Sequence, residues 1–279
     1  MTKNSLFVLL QFVFILVAAA GGSAQGAEWT LDKDQLVEKP DPYSPFVDQH
    51  FPQEVYFGDT HFHSSLSVDS GLIGNKIDLE SALRFARGEE VATSTGQRVQ
   101  LNRPLDFLVL SDHAEYLGIA DLLNQAHPGL LGTEVGREWY EDMQAGGERA
   151  WNTAVGLVND FNKGAPRFRD PKIERSVWER VVDTASSYNE PGTFTALNGY
   201  EWSTSTGGSN LHRVVVFQDG SDRVKQVLPF GAFDSTDPED LWAFMAGYEA
   251  KTGGRVMAIP HNPNLSNGVM FAERVNGKK

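Results

Sequence analysis

The sequence predicts an α/β fold with a largely parallel sheet, and three observations support this prediction. Short apolar runs alternate along the chain with stretches of helical period. Most polar residues that could carry chemistry follow an apolar run, at the edge where α/β sheets and barrels place their sites. Of the 279 residues, 41% are hydrophobic and 22% charged, which is typical of a globular protein with a sizeable core.

The composition excludes several classes of function. The chain has no cysteine, so it is not a disulfide scaffold and has no cysteine-ligated zinc, iron–sulfur cluster or cysteine nucleophile. Its formal net charge of −13 argues against a nucleic-acid partner, because such proteins neutralise phosphates with a basic patch. The expected partner is a small-molecule substrate.

Residues 1–24 are predicted to be a secretory signal peptide. Lys3 precedes an apolar run over residues 6–20, and small residues follow it, so we expect cleavage after Ala24 or, alternatively, nearer Ala27. An uncleaved membrane anchor is the rival interpretation, but the run is shorter than the roughly 20 residues that span a membrane. The mature protein is therefore predicted to be periplasmic or secreted, without a stable membrane anchor.

The mature chain is predicted to start with an extended lead-in and then to enter one domain, residues 54–279. Residues 25–53 are polar and rich in proline, which indicates a surface segment. A strand-like stretch begins at Val55 and runs into Gly58. The pattern then predicts a helix over residues 78–87, with Asp78 as N-cap and Gly88 as its stop, a polar loop at 89–104, and a buried strand over 106–111.

The second half of the domain begins with a helical insertion or cover over residues 117–190. Strands are predicted at 194–197 and 212–217, and the last one at 256–259. Between them, Asp237 and Pro238 mark the start of a helix that ends at Gly253.

Histidines and carboxylates gather at the ends of these strands. His61 and His63 share one face of a strand, although such a pair alone is weak evidence for a metal. His113, Glu201, His212 and His261 each lie near the end of a separate apolar run, and Asp69 lies in a nearby loop. His212 opens its strand, so it fits only if that strand is antiparallel. Any single histidine here is readily explained as a satisfied polar group, but together they indicate a site for Zn, Mn or Fe.

Several motifs then resemble the polymerase-and-histidinol-phosphatase (PHP) superfamily, and more closely its DUF3604 branch. The resemblance covers roughly residues 54–265. The superfamily motifs are Asp59-Thr60-His61-Phe62-His63 with Asp69, Ser111-Asp112-His113, Gly199-Tyr200-Glu201, His212 and Pro260-His261-Asn262-Pro263. Specific to the branch are Tyr56-Phe57-Gly58-Asp59, Ala82-Leu83-Arg84-Phe85-Ala86-Arg87-Gly88 and Arg103-Pro104-Leu105-Asp106-Phe107.

The resemblance implies a distorted (β/α)7 barrel that holds two or three divalent ions. By motif, His61 and His63 would bind the first ion, and Glu201 would bridge the first and second. His212 and His261 would complete the second ion, and Asp69 and His113 would hold a third.

Two departures from the family pattern modify this expectation. The family closes its site with a late Asp-x-His, whereas no histidine follows His261, and the seventh strand is also missing. We therefore expect an N-terminal fragment of a longer protein, with a barrel incomplete at its C-terminus. The long span between His113 and Glu201 holds the helical insertion, which could restrict the substrate.

Roles for further residues follow from a mechanism in which metal-activated water attacks the substrate and no protein nucleophile is used. Glu201 and His113 are then catalytic through the ions, and Asp59 and Asp112 orient the ligands. Arg213 is a candidate contact for an anionic substrate, unless strand alternation points it away. Tyr116, with Glu115, either lines the pocket or starts a surface helix.

The leading hypothesis is an exported metal-dependent hydrolase, phosphoesterase-like by analogy. The superfamily that it resembles also borders on amidohydrolases, so an amidohydrolase-like reaction stays open, because fold-level analogy does not fix the reaction. The alternative is a non-catalytic metal- or ligand-binding barrel module. The strongly acidic composition disfavours anionic substrates at long range, although bound cations reverse the local sign.

Overall fold

A computed structural model describes residues 54–272. The predicted signal peptide (1–24) and lead-in (25–53) lie outside these residues. Within residues 54–272, no helix has both the length and the apolar character needed to cross a membrane.

The strands form one five-stranded sheet and a separate two-stranded hairpin. They are β1 (Gly58–Phe62), β2 (Val91–Ala92), β3 (Arg98–Val99), β4 (Phe107–Leu110), β5 (Thr195–Trp202), β6 (Arg213–Phe217) and β7 (Val256–Pro260). The large sheet has the order β1-β4-β5-β6-β7, and β2 pairs with β3. The pairs β1–β4 and β4–β5 are parallel, whereas β5–β6 and β6–β7 are antiparallel. The sheet is therefore mixed, because β6 runs against its neighbours.

The sheet is curled into a half-barrel. His61 belongs to β1, and His261 follows β7, which is at the other end of the strand order. In a flat sheet these two strands would be about 19 Å apart, since neighbouring strands are about 4.8 Å apart. The two imidazole centroids are only 4.0 Å apart. The curl therefore brings one end of both outer strands to the same place. The (β/α)7 barrel is not confirmed.

Nine helices lie in the described part of the chain, and five of them separate β4 from β5. They are α1 (Val68–Gly71), α2 (Leu79–Ala86), α3 (Ile119–Asn124), α4 (Pro128–Leu131), α5 (Glu134–Ala145), α6 (Gly147–Asn162), α7 (Pro171–Tyr188), α8 (Ser221–Val224) and α9 (Pro238–Thr252). Asp78 caps α2 by accepting from the Ser81 N–H, and Asp237 caps α9 by accepting from the Glu239 N–H. Both caps agree with the sequence prediction.

The core occupies three regions. The largest contains buried residues of α2, α7 and α9 packed on one face of the sheet, with Trp178, Tyr200 and Phe217 among its largest side chains. A second cluster holds α3, α5 and α6 together around Trp139 and contains Phe161. The third lies on the other face of the sheet. It consists of Val109, Val214 and Val216, with Leu197 and Ile259 packed against them.

Three local features differ from the sequence prediction. β5 continues through Glu201 to Trp202, so Glu201 lies within its strand and not after it. The predicted loop at 89–104 contains the β2–β3 hairpin. Asp69 lies in α1, a single helical turn, and not in a loop.

Candidate metal centre

One buried carboxylate lies between four imidazoles. Glu201 is only 1% exposed, and its Oε2 lies 3.0 Å from His61 Nε2 and 2.7 Å from His63 Nε2. Its Oε1 lies 2.7 Å from His212 Nδ1 and 3.0 Å from His261 Nε2. Each carboxylate oxygen therefore faces its own pair of histidines.

A second carboxylate extends the cluster on one side. Both oxygens of Asp69 lie 3.1 Å from His63 Nδ1, and Oδ2 lies 3.6 Å from His113 Nε2. His63 therefore has Glu201 at one ring nitrogen and Asp69 at the other. The helical turn α1, the next element after β1, brings Asp69 to this position.

Three overlapping groups of side chains in residues 54–272 could each hold a metal ion. The ligand atoms of each group lie within 4.8 Å of one another. The groups are His61–His63–Glu201, His63–Asp69–His113 and His113–Glu201–His212. His63, His113 and Glu201 each belong to two groups, so any two of the candidate metal positions have one ligand in common. This is the donor chemistry that Zn, Mn and Fe use in proteins.

Strand direction and pairing bring these residues together. His113, just after β4, forms a parallel bridge with Glu201 of β5. β6 runs antiparallel to β5, so its first residues lie beside the last residues of β5, which explains why His212 opens its strand. The His261 N–H donates to the His212 carbonyl at 3.2 Å. The sequence placed His212 in the site only if its strand is antiparallel, and β6 is antiparallel to β5.

The electrostatics of the cluster favour ionised carboxylates. Burial acts to raise the pKa of Glu201, but the charge of His113 and the hydrogen bonds from the other histidines outweigh it and hold that pKa well below its usual range. Asp69 is likewise shifted down, because His113 and His63 outweigh its burial in setting its pKa. Burial lowers the pKa of His63, but Asp69 and Glu201 outweigh it and raise the pKa to about 10. In the metal-free protein the carboxylates are thus compensated by protonated imidazole.

Asp59 and Asp112 hold the main chain around the histidines. Asp59 Oδ1 accepts from the His61 N–H at 2.8 Å. The buried Asp112 accepts from both the N–H (2.5 Å) and the hydroxyl (2.8 Å) of Ser64, the residue after His63. Burial raises the pKa of Asp112 to about 6. Asp59 therefore contacts the backbone of a predicted ligand, and Asp112 contacts the residue that follows one.

The structure does not bring Arg213 to the cluster. Arg213 pairs with Trp202, and strand alternation puts Trp202 on the opposite face of β5 from Glu201. The Arg213 guanidinium lies 5.7 Å from the Trp202 ring centroid and 5.1 Å from that of Trp242, and it donates to the Leu211 carbonyl. Of the two orientations that the sequence left open for Arg213, the structure has the one that points away.

Tyr116 and Glu115 are buried, which excludes the surface-helix interpretation. Both line a cavity together with Ala114, the residue that follows His113. The Tyr116 hydroxyl donates to Asp160 and accepts from the Arg167 N–H, each at 2.8 Å. Its hydrogen bonds therefore go to α6 and to the segment that follows α6. Glu115 lies 3.9 Å from His113 Nδ1, and burial raises its pKa to about 7.

Sequence reasoning missed two serines in the centre. Ser67 donates to Asp69 Oδ1 at 2.6 Å and accepts from the His113 N–H. Ser203 Oγ lies 2.5 Å from His113 Nδ1. Each lies two residues from a predicted ligand, but serine is too common for that spacing to single it out.

A family model described as a protein of unknown function (DUF3604) matches residues 50–279. No curated protein and no solved structure matches the chain.

Proposed function

We propose that this chain, which belongs to the DUF3604 family, is an exported metal-dependent hydrolase that works on a small-molecule substrate. The observation that carries the proposal is the Glu201 carboxylate, buried between four imidazoles and shared by two of the three candidate metal groups. An ordinary structural carboxylate does not need four histidines to satisfy its two oxygens.

The donor set fits two or three divalent transition ions such as Zn, Mn or Fe. His61 and His63 would hold one ion and His212 and His261 a second, with one Glu201 oxygen for each pair. Asp69 and His113 would hold a third, shared with His63. When bound, such ions lower the pKa of coordinated water toward roughly 7 and take up negative charge on a phosphoryl or carbonyl oxygen.

The substrate would approach from the side of His61 and Asp69. Their side chains are 41% and 43% exposed, whereas those of His113 and Glu201 are 5% and 1% exposed. The buried members thus form the floor of the centre, and the exposed members form its rim. With divalent ions bound, the centre would be cationic in an otherwise acidic protein, which suits an ester with a phosphate group, the substrate class that we propose.

We further propose that the sheet belongs to a PHP-like barrel that a longer chain completes. Two features support this. β1 and β7 each pair on one side only within the described residues, and the apolar cluster around Val214 lies on the concave face between them. An added strand would cover that cluster and could bring the late Asp-x-His that the family resemblance implies. We propose a periplasmic or secreted location, on the strength of residues 1–24 alone.

Metal content and turnover test this proposal together. Purified protein should carry at least one transition metal per chain, and the double variant His61→Ala/His63→Ala should lose part of it. His127→Ala is the matched control, because His127 caps α4 by accepting from the Gly129 N–H and is not a member of any of the three groups. Phosphatase and esterase substrates would then be assayed with Mn or Zn.

Each outcome of this experiment is informative. Metal-dependent hydrolysis that the double variant abolishes would support the hydrolase. Metal binding without turnover, both in this chain and in a longer one, would favour the alternative of a non-catalytic binding module. An unchanged metal content in the double variant would overturn the ligand assignment.

A further inference from the structure

We propose that Arg213 is a positioning residue for the metal ligand His212, and that Trp202 and Trp242 hold the Arg213 guanidinium in place for this purpose. The inference rests on the proposed metal centre, since it concerns how one of its ligands is held. It gives a role to a cation that points away from the centre and to an exposed tryptophan of α9.

The Arg213 side chain is a buried cation without a carboxylate partner. It is only 6% exposed, and within residues 54–272 it forms no ion pair. A buried charge is costly unless other groups compensate for it, and the faces of Trp202 and Trp242 supply part of that compensation. An apolar side chain of similar volume would fill the same space without that cost. Packing alone therefore does not account for an arginine here.

The hydrogen bond of Arg213 shows what the guanidinium holds. Nη1 donates at 2.9 Å to the Leu211 carbonyl, which belongs to the peptide bond that leads into His212. The Leu211 N–H donates to the Thr204 carbonyl at 3.0 Å, so both polar groups of the Leu211 backbone are bonded. On the other side, the His212 carbonyl accepts from the His261 N–H at 3.2 Å. The backbone is thus held both before and after the His212 imidazole.

The location of His212 makes such support necessary. The ladder between β5 and β6 starts at the pair Trp202–Arg213, so His212 lies just outside it. Its Nδ1 nevertheless has to stay 2.7 Å from Glu201 Oε1. A metal ligand has to be held within about 0.5 Å of its working position by the groups around it. The Arg213 hydrogen bond holds the segment that the ladder does not reach.

The two tryptophans fix the guanidinium from different elements. Trp202 ends β5, is fully buried, and donates from Nε1 to the Ser235 carbonyl at 3.3 Å. Trp242 lies in α9 and is 42% exposed. Its ring is the nearer of the two, with its centroid 5.1 Å from the guanidinium carbon. Truncation of Trp242 therefore releases the guanidinium on one side without opening the core.

The test compares wild type with Arg213→Met, Trp242→Ala and Trp242→Phe. Methionine keeps an unbranched apolar stem but has no hydrogen-bond donor. Phenylalanine keeps an aromatic face for the cation, so it should restore what alanine loses. Trp151→Ala is the matched control, because Trp151 is also an exposed tryptophan of a helix, at 62%, but lies in α6.

Zinc titration by calorimetry is the first readout. Arg213→Met and Trp242→Ala should bind one ion, the one assigned to His212 and His261, about 10- to 100-fold more weakly, the usual effect of losing a group that orients a ligand. The affinity for the other ions should change less. Trp242→Phe and Trp151→Ala should bind zinc like wild type.

Carbon–proton correlation spectra of the histidine rings in the metal-free protein are the second readout. We expect one sharp His212 signal in wild type and a broadened or split signal in Arg213→Met and Trp242→Ala, because the ring then samples more than one position. His127 of α4 is the internal control and should stay unchanged in every variant.

The proposal has clear ways to fail. Unchanged zinc affinity and unchanged His212 signals in Arg213→Met and Trp242→Ala would overturn it. Equal weakening at every ion, together with a lower free energy of unfolding, would also overturn it, because the effect would then be general destabilisation. If wild type binds no zinc, the proposed function fails, and the His212 signals still decide whether Arg213 positions this ring.

Discussion

At the scale of single residues, the centre depends most on Glu201, because four imidazoles approach its two oxygens. Asp59 is a useful comparison. It is also a carboxylate close to His61, but it is exposed, and within residues 54–272 the His61 N–H is the hydrogen-bond donor that it has. If Glu201 bridges two ions, its negative charge stabilises both of them, whereas Asp59 would act only through the backbone of His61.

We therefore expect Glu201→Gln to weaken metal binding by at least about 100-fold, and Asp59→Asn by less than about 10-fold. Both changes replace a carboxylate by an amide of the same shape, so size is controlled. The measurement is a zinc titration of each variant with a competing chelator. The reverse order of affinities would contradict a bridging role for Glu201.

The pKa of His63 predicts how pH acts on the metal-free protein and on metal binding. Its pKa is raised from 6.5 to about 10 in the folded state, so protonation of His63 favours folding. That contribution is complete below pH 6.5 and is lost as the pH rises toward 10. The metal-free protein should therefore lose stability over this interval, which denaturant unfolding at several pH values would measure.

Metal binding should show the opposite trend over the same interval. A metal ligand has to be deprotonated, so binding at His63 releases its proton and becomes tighter as the pH rises. Calorimetry in buffers of different ionisation enthalpy should detect at least one proton released per ion bound at this group. Binding that is independent of pH between 7 and 9 would show that His63 is not a ligand.

At the scale of secondary-structure elements, the close contact of β5 with its neighbours positions Glu201. Gly199 lies two residues before Glu201, and a Cβ there would lie 2.5 Å from a methyl group of Val109 and 2.8 Å from the Val215 carbonyl oxygen. A backbone oxygen of a paired strand cannot move away cheaply. Glycine is therefore required at this position for the strands to pair.

Gly199→Ala should lower the free energy of unfolding by about 1–3 kcal/mol, the usual cost of an overpacked core. Gly247→Ala is the matched control. Gly247 lies in α9, where a Cβ meets nothing within 4 Å, so the change should stabilise the helix by about 0.5–1 kcal/mol. Urea unfolding measures both values. Equal stability of the two variants would show that β5 adapts to the extra methyl group.

The sequence predicts those elements that local signals determine. Asp78 and Asp237 are the N-caps that the sequence indicated, and the apolar run after Asp106 is a central strand. The direction of β6 is not a local property, because its pairing partners are set by the whole sheet. The contact of Ser203 with His113 was equally inaccessible, since it depends on which side chains meet in the folded chain.

At the scale of the whole molecule, the curl of the sheet assembles the centre and also exposes apolar surface. The curl brings the ends of β1 and β7 together at His61 and His261. The same two strands are the edges of the sheet in the described residues. Met257 of β7 is 58% exposed. Unpaired strand edges with apolar side chains are templates for association with other chains.

We therefore expect residues 25–279 to aggregate when expressed alone, and Met257→Lys to reduce that aggregation. A lysine on an edge strand blocks pairing with another strand. Trp151→Lys is the matched control. Trp151 lies in α6 and is 62% exposed, so this variant adds the same charge and removes a similarly exposed apolar side chain away from the sheet edge. Light scattering at several concentrations measures both variants.

A wild-type fragment that stays monomeric and unfolds cooperatively would show that the unpaired edges of β1 and β7 do not cause association. Equal rescue by both lysines would assign the aggregation to general surface hydrophobicity.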